Sequence, residues 1–115
     1  MAPGRGTGRL MPSYRLVADV LAVRGDTPPS KVLDIAREVV GRTHLVEKVS
    51  LDMPRGVPQV TVRCVVAESN DDAEDHEAFD LAARYLAEMS EVVQMPRVEV
   101  RRRVKGRFVP VNRPR

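Results

Sequence analysis

The sequence predicts one α+β domain with its elements in the order βαββαβ, and three observations carry that expectation. Two segments, 32–40 and 78–93, repeat apolar residues at helical spacing. Around them run segments in which valines and other β-formers alternate with polar residues, most cleanly over 59–66. The length, 115 residues, suits a single core of ordinary domain size.

The first strand is expected from Tyr14 to Val23, where Leu16, Val17, Val20, Leu21 and Val23 put apolar groups on both faces, as in a central strand. Gly25 and Asp26 break it. Asp26 or Thr27 is placed to cap a helix that opens on Pro28 and Pro29, where missing N–H groups cost little. Val32, Leu33, Ile35, Ala36, Val39 and Val40 make its apolar face, and Gly41 suits its C-cap. A second strand over Leu45–Met53 turns back through 54–58 into a third over Gln59–Glu68. In that third strand Val60, Val62, Cys64 and Val66 share one face.

Ser69 or Asn70 caps the second helix, and the acids from Asp71 to Asp75 suit its positive N-terminal end. Phe79, Ala82, Ala83, Leu86 and Val93 form the expected core stripe. Ala78, Leu81, Tyr85, Met89 and Val92 widen it to about half the circumference, more than covering one sheet requires. Either the first helix or another subunit can absorb the excess, and Leu81, Tyr85, Met89 and Val92 are the candidate oligomer contacts. Pro96 ends the helix, and Val98, Val100 and Val104 begin a last strand that Gly106 interrupts.

Two β-α-β units joined by a hairpin predict a ferredoxin-like sandwich: a four-stranded antiparallel sheet, spatial order 4-1-3-2, with both helices on one face. The domain is expected over 13–109, between a flexible N-terminal arm (1–12) and a flexible tail (110–115). Met11 directly before the first strand leaves open whether residues 1–10 are native.

Charge is uneven along the chain. Residues 68–96 hold nine acids against Arg84 alone, and residues 97–115 hold eight bases against Glu99. Such bipolarity requires a partner for each pole, within the chain or outside it. One cysteine excludes an intrachain disulfide framework. No apolar run approaches the roughly 20 residues of a membrane span, and the first ten residues have no signal-peptide core; cytoplasmic residence without membrane contact is the expectation.

The candidate chemistry is sparse. Arg97, Arg101, Arg103 and Lys105 lie on one side of the last strand and suit an anion or nucleic-acid contact. The same residues would protect an edge strand from aggregation, and with four aromatic residues in the chain no base-stacking platform is visible. Asp72, His76 and Asp80 have the i, i+4, i+8 spacing of ligands on one helix face, but no second cluster completes a metal site. Cys64 sits in an apolar row, and His44 follows Gly41 in a turn without a visible partner. No catalytic, cofactor-binding or metal-binding residue is assigned, and no cofactor is expected.

Asp26-Thr27-Pro28-Pro29 followed by Val32, Leu33 and Ile35 resembles the strand–Asp-x-Pro–helix junction of the ACT domain family of small-molecule regulatory modules. The stretch from Phe79 through Met95-Pro96 to Val100 is similar to that family's final helix and strand. The resemblance implies the same βαββαβ order and ligand sensing at that junction. It also implies glycine where this chain has Pro29, which lacks an N–H and has a fixed φ.

The leading expectation is thus a non-catalytic ferredoxin-like module that self-associates, since no residue argues for catalysis, with a homodimer or another protein as partner. Nucleic-acid binding through the arginine-rich strand and small-ligand sensing of the ACT-like kind are the alternatives.

Overall fold

A computed structural model describes residues 12–112. Residues 1–11 of the expected arm (1–12) and residues 113–115 of the expected tail lie outside the described residues. The fold is α+β, with two helices and an antiparallel sheet of five strands. In chain order the elements are β1 (Ser13–Asp19), β2 (Ala22–Val23), a 3-10 turn (Pro29–Lys31), α1 (Val32–Gly41), β3 (Val46–Asp52), a second 3-10 turn (Pro54–Gly56), β4 (Gln59–Val65), α2 (Asp71–Met89), β5 (Val93–Gln94), β6 (Glu99–Val104) and β7 (Arg107–Pro110). The main sheet runs β3-β4-β1-β6-β7, and β2 pairs with β5 in a separate ribbon.

The expected first strand divides because the chain leaves the sheet after Asp19. Val20 donates its N–H to Pro58 O (2.8 Å), and Leu21 donates to Gln94 O (2.9 Å), which steers Ala22 and Val23 onto β5. That ribbon closes the end of the core with Val93. Helix α1 starts differently from the expectation. Neither Asp26 nor Thr27 caps it; Pro28 is extended and Pro29 opens a 3-10 turn that runs into the helix. Gly41 is its last helical residue rather than a cap. The helix closes through Arg42 N–H to Glu38 O and His44 N–H to Val40 O, both 3.1 Å. From α2, Arg84 adds a 3.0 Å hydrogen bond to Val39 O, satisfying an end-of-helix carbonyl that the helix cannot.

Both helices cover the sheet face that carries Tyr14, Leu16, Val60, Val62, Cys64 and Val100, all essentially without solvent contact. Asn70 caps α2, its side chain accepting from Ala73 N–H at 2.8 Å. The helix is rotated from the expected setting. Ala78, Leu81, Ala82, Tyr85 and Met89 face the core, whereas Phe79 and Leu86 are half-buried and Ala83 is exposed. The stripe offered to the first helix or to another subunit is used inside the chain: Leu81, Tyr85 and Met89 are buried, and Val92 is half-buried against the core.

The C-terminal strand also differs. Lys105 and Gly106 have φ of 52° and 82°, so they form a two-residue turn with left-handed backbone, and the chain returns as β7. Gly106 makes a hairpin where an interruption was expected. The arginine-rich β6 is in consequence an inner strand, and β7 takes the edge. Val111 N–H bonds Val100 O at 2.9 Å, so the expected tail is held to the sheet for its first residues. Among the described residues no helix is long and apolar enough to cross a membrane.

Candidate functional site

Among the described residues no element covers the sheet face away from the helices, and strand register decides which side chains meet there. Alternation puts Arg15, Val17 and Asp19 of β1 on it, with Thr61 and Arg63 of β4. Pairing then aligns Lys48 with Arg63, Arg63 with Arg15, and Arg15 with Arg101. Four cations from four strands thus form one transverse row, about 14 Å long at the usual strand spacing. A second row holds Ser50, Thr61, Val17 and Glu99, and a third holds Asp52, Gln59 and Asp19.

Like charges directly opposite across strands are destabilising, so the row requires compensation. Arg63 pairs with Glu47 (Nε to Oε1, 2.9 Å), and Arg101 pairs with Glu99 (2.7 Å). Glu47 reaches this face because the β3–β4 register shifts between Val46 and Lys48; it also accepts from Ser13 Oγ at 2.9 Å. Arg15 is without a carboxylate partner among the described residues. Its guanidinium lies 4.0 Å from the centre of the Phe108 ring, with that of Arg63 at 5.3 Å. Cation–π contacts of this kind hold planar groups in register at modest energy. Beside them Arg15, Lys48, Ser50, Asp52, Thr61 and Arg63 line a shallow depression of about 250 Å³.

The four basic residues singled out from the sequence do not stay together. Arg101 and Arg103 lie on the uncovered face, Arg103 opposite Phe108. Arg97 precedes β6 and lines a groove with Phe79, Ala83, Leu86 and Val98, toward α2. Lys105 is in the hairpin turn. Arg15, Lys48, Arg63 and Phe108 were missed. The alternation of β4 already set Arg63 apart from the core row, but only register joins it to Arg15, and Phe108 was lost with the unrecognised hairpin.

Arg102 points to the opposite face and meets the acidic start of α2. Its guanidinium contacts Asp71 (2.7 Å), Glu74 (2.9 Å) and Asp75 (3.1 Å) and donates to Tyr14 Oη (3.2 Å). Tyr14 in turn donates to Asp75, and burial together with that bond pushes its phenol well above the ordinary range. Glu74 also accepts from Ser69 N–H at 2.8 Å.

The remaining candidates have structural settings. Cys64 is buried and its thiol is pushed up to about 12 by burial, the reverse of an activated nucleophile. His44 bridges Thr43 Oγ1 and Glu77 Oε2, each at 2.8 Å. Asp72, His76 and Asp80 are exposed along α2, and no group of three or more metal-type ligands is assembled among the described residues. At the junction bearing Pro29, a groove of about 150 Å³ is lined by Val20, Val23, Val32, Leu33, Leu51 and neighbouring prolines. Compared with protein-family models, with curated proteins and with solved structures, the chain matches none.

Proposed function

We propose that this chain is a non-catalytic binding module on a ferredoxin-like frame, and that its uncovered sheet face takes a single-stranded nucleic acid. The frame is supported by the neighbour order β3-β4-β1-β6, with β7 an addition outside it. The binding reading rests on one observation: Lys48, Arg63, Arg15 and Arg101 in a continuous cross-strand row, next to a phenylalanine ring on the same face. Phosphates relieve the mutual repulsion of that row, and an unpaired base stacks on Phe108 in the place of a guanidinium. Bases inside a duplex are not available for such stacking, which favours a single strand.

The self-association expected from α2 loses its basis, since that stripe is core and the acids of α2 find Arg102 within the chain. Sensing of the ACT-like kind is left with a groove of about 150 Å³, below the ~300 Å³ at which small-molecule pockets begin.

Fluorescence anisotropy of short labelled single strands tests the proposal. Affinity falls with salt, with a log–log slope no steeper than about −3 for four phosphate contacts. Arg15→Gln with Arg63→Gln weakens binding and flattens the slope, whereas Phe108→Leu weakens binding and leaves the slope unchanged. Absence of retention at low salt overturns the reading. Equal binding of duplex DNA or an acidic peptide, insensitive to Phe108→Leu, assigns the face to another class of anion.

A further inference from the structure

We infer that two copies of this chain associate through β3, pairing antiparallel about Ser50 into one continuous ten-stranded sheet. The proposal does not rest on the nucleic-acid reading: it shares Lys48 with that row, while Arg15, Arg63, Arg101 and Phe108 lie inside the sheet and stay uncovered in such a dimer.

The sheet has two edges, and they are built differently. Edge β7 is four residues long and carries Arg107 and Pro110, both features that discourage pairing. Edge β3 has seven residues, no proline, and large apolar groups in solvent along or beside it: Leu51 is 50% exposed and Met53 57%. An edge strand with unpaired backbone groups and exposed apolar side chains is a template for another strand.

The sequence of that edge decides the occupant. From Lys48 to Asp52 it reads Lys-Val-Ser-Leu-Asp, which has the same order of chemistry in both directions with the charge reversed. A two-fold axis at Ser50 sets Lys48 opposite the partner's Asp52, Val49 opposite the partner's Leu51, and Ser50 opposite the partner's Ser50. Every cross-strand pair is then favourable in kind: two ion pairs, two apolar pairs, and one pair of hydroxyls. Lys48 and Asp52 have no ion-pair partner among the described residues, so nothing among those residues competes. The register is bounded on both sides, by the β3–β4 shift between Val46 and Lys48 and by Pro54 after Met53. Two-fold closure of this kind makes a finite dimer, since each chain uses its β3 edge and the remaining β7 edges discourage pairing.

Cross-linking tests the register directly. Opposed residues in an antiparallel pair have Cα atoms about 4.5–5.5 Å apart, within disulfide range. Under mild oxidation Ser50→Cys gives a covalent dimer. Lys48→Cys alone does not, but it cross-links when mixed with Asp52→Cys. Sedimentation velocity supplies the second arm. Lys48→Asp and Asp52→Lys each raise the dimer dissociation constant roughly tenfold or more, and mixing the two variants restores a heterodimer, which a folding defect cannot do. A wild-type chain that stays monomeric at hundreds of micromolar overturns the proposal. So does cross-linking of Lys48→Cys alone as efficient as that of Ser50→Cys.

Discussion

Arg102 in β6 and Glu74 in the first turn of α2 form an ion pair of 2.9 Å on the helix-covered side of the sheet. Glu74 is almost wholly buried, its side chain 4% exposed, and Arg102 is 19% exposed. The pair joins the chain's acidic segment to its basic one, and Asp71, Asp75 and Tyr14 complete the same cluster. One arginine of the run 101–103 thus anchors a helix, while its two neighbours, by strand alternation, face the other way.

Removing Arg102 leaves Glu74 buried beside two further carboxylates. Arg102→Ala is expected to destabilise the fold by about 3–5 kcal/mol, the usual cost of a broken buried pair. Arg102→Lys recovers part of that, because an ammonium keeps the charge but cannot serve three carboxylates with a fixed planar fork. Urea denaturation of both variants checks the order. Equal midpoints for wild type and Arg102→Ala would show that the cluster contributes nothing.

Tyr85 has the opposite problem. It is completely buried, and its hydroxyl is the buried side-chain polar atom left without a hydrogen-bond partner among the described residues. An unsatisfied buried hydroxyl costs about 1–3 kcal/mol, so Tyr85→Phe is expected to raise stability by about 1 kcal/mol. The urea midpoint should rise with an unchanged m value. A lower midpoint would mean that the hydroxyl has a partner in solution.

Arg102 and Tyr85 mark the boundary between what was legible in the sequence and what was not. The alternation Val60-Val62-Cys64-Val66 identified the core face of β4 because a strand repeats every two residues and a one-residue error inverts it. The Asn70 cap and its following acids were legible for an equally local reason. The setting of α2 was not: ten apolar positions cover half of that helix, and only packing against α1 and β6 selects Tyr85 over Phe79. Strand parity set Arg102 apart from Arg101 and Arg103, but its partners Asp71, Glu74 and Asp75 emerge only when β6 packs against α2. The cation row lies furthest from sequence, because it requires the register of four strands at once.

Alkaline pH is expected to unfold the protein progressively from about pH 9. The buried Cys64 thiol is raised from 9.0 to about 12, and burial also raises the Tyr14 and Tyr85 phenols above 10.0. Between 9 and 12 the unfolded thiol has lost its proton while the folded one keeps it. The stabilisation is therefore complete below pH 9 and disappears as pH climbs toward 12, at about 1.4 kcal/mol per pH unit for each such group. The tyrosines join from pH 10 upward. Cys64→Ala should flatten the stability profile between pH 9 and 10 while leaving the steeper fall above it. An unchanged slope in that interval would remove Cys64 from the account.

Lys105 occupies a left-handed backbone conformation, φ 52°, that a lysine tolerates poorly and an asparagine readily adopts. It precedes Gly106 at φ 82°, so the turn has the form for which Asn-Gly is the preferred pair. Lys105→Asn is expected to stabilise the β6–β7 hairpin by about 0.5–1 kcal/mol, read as a higher thermal midpoint. Gly106→Val is expected to do the reverse, and by more, because a β-branched residue at that φ is strained even though the surrounding space is open. The same pair tests the binding face. Lys105 stands outside the row formed by Lys48, Arg63, Arg15 and Arg101, so Lys105→Asn should leave single-strand affinity within about twofold. Gly106→Val, by freeing β7, should weaken it through Phe108. A large loss of affinity in Lys105→Asn together with a higher thermal midpoint would move the contact from the sheet face to the hairpin tip.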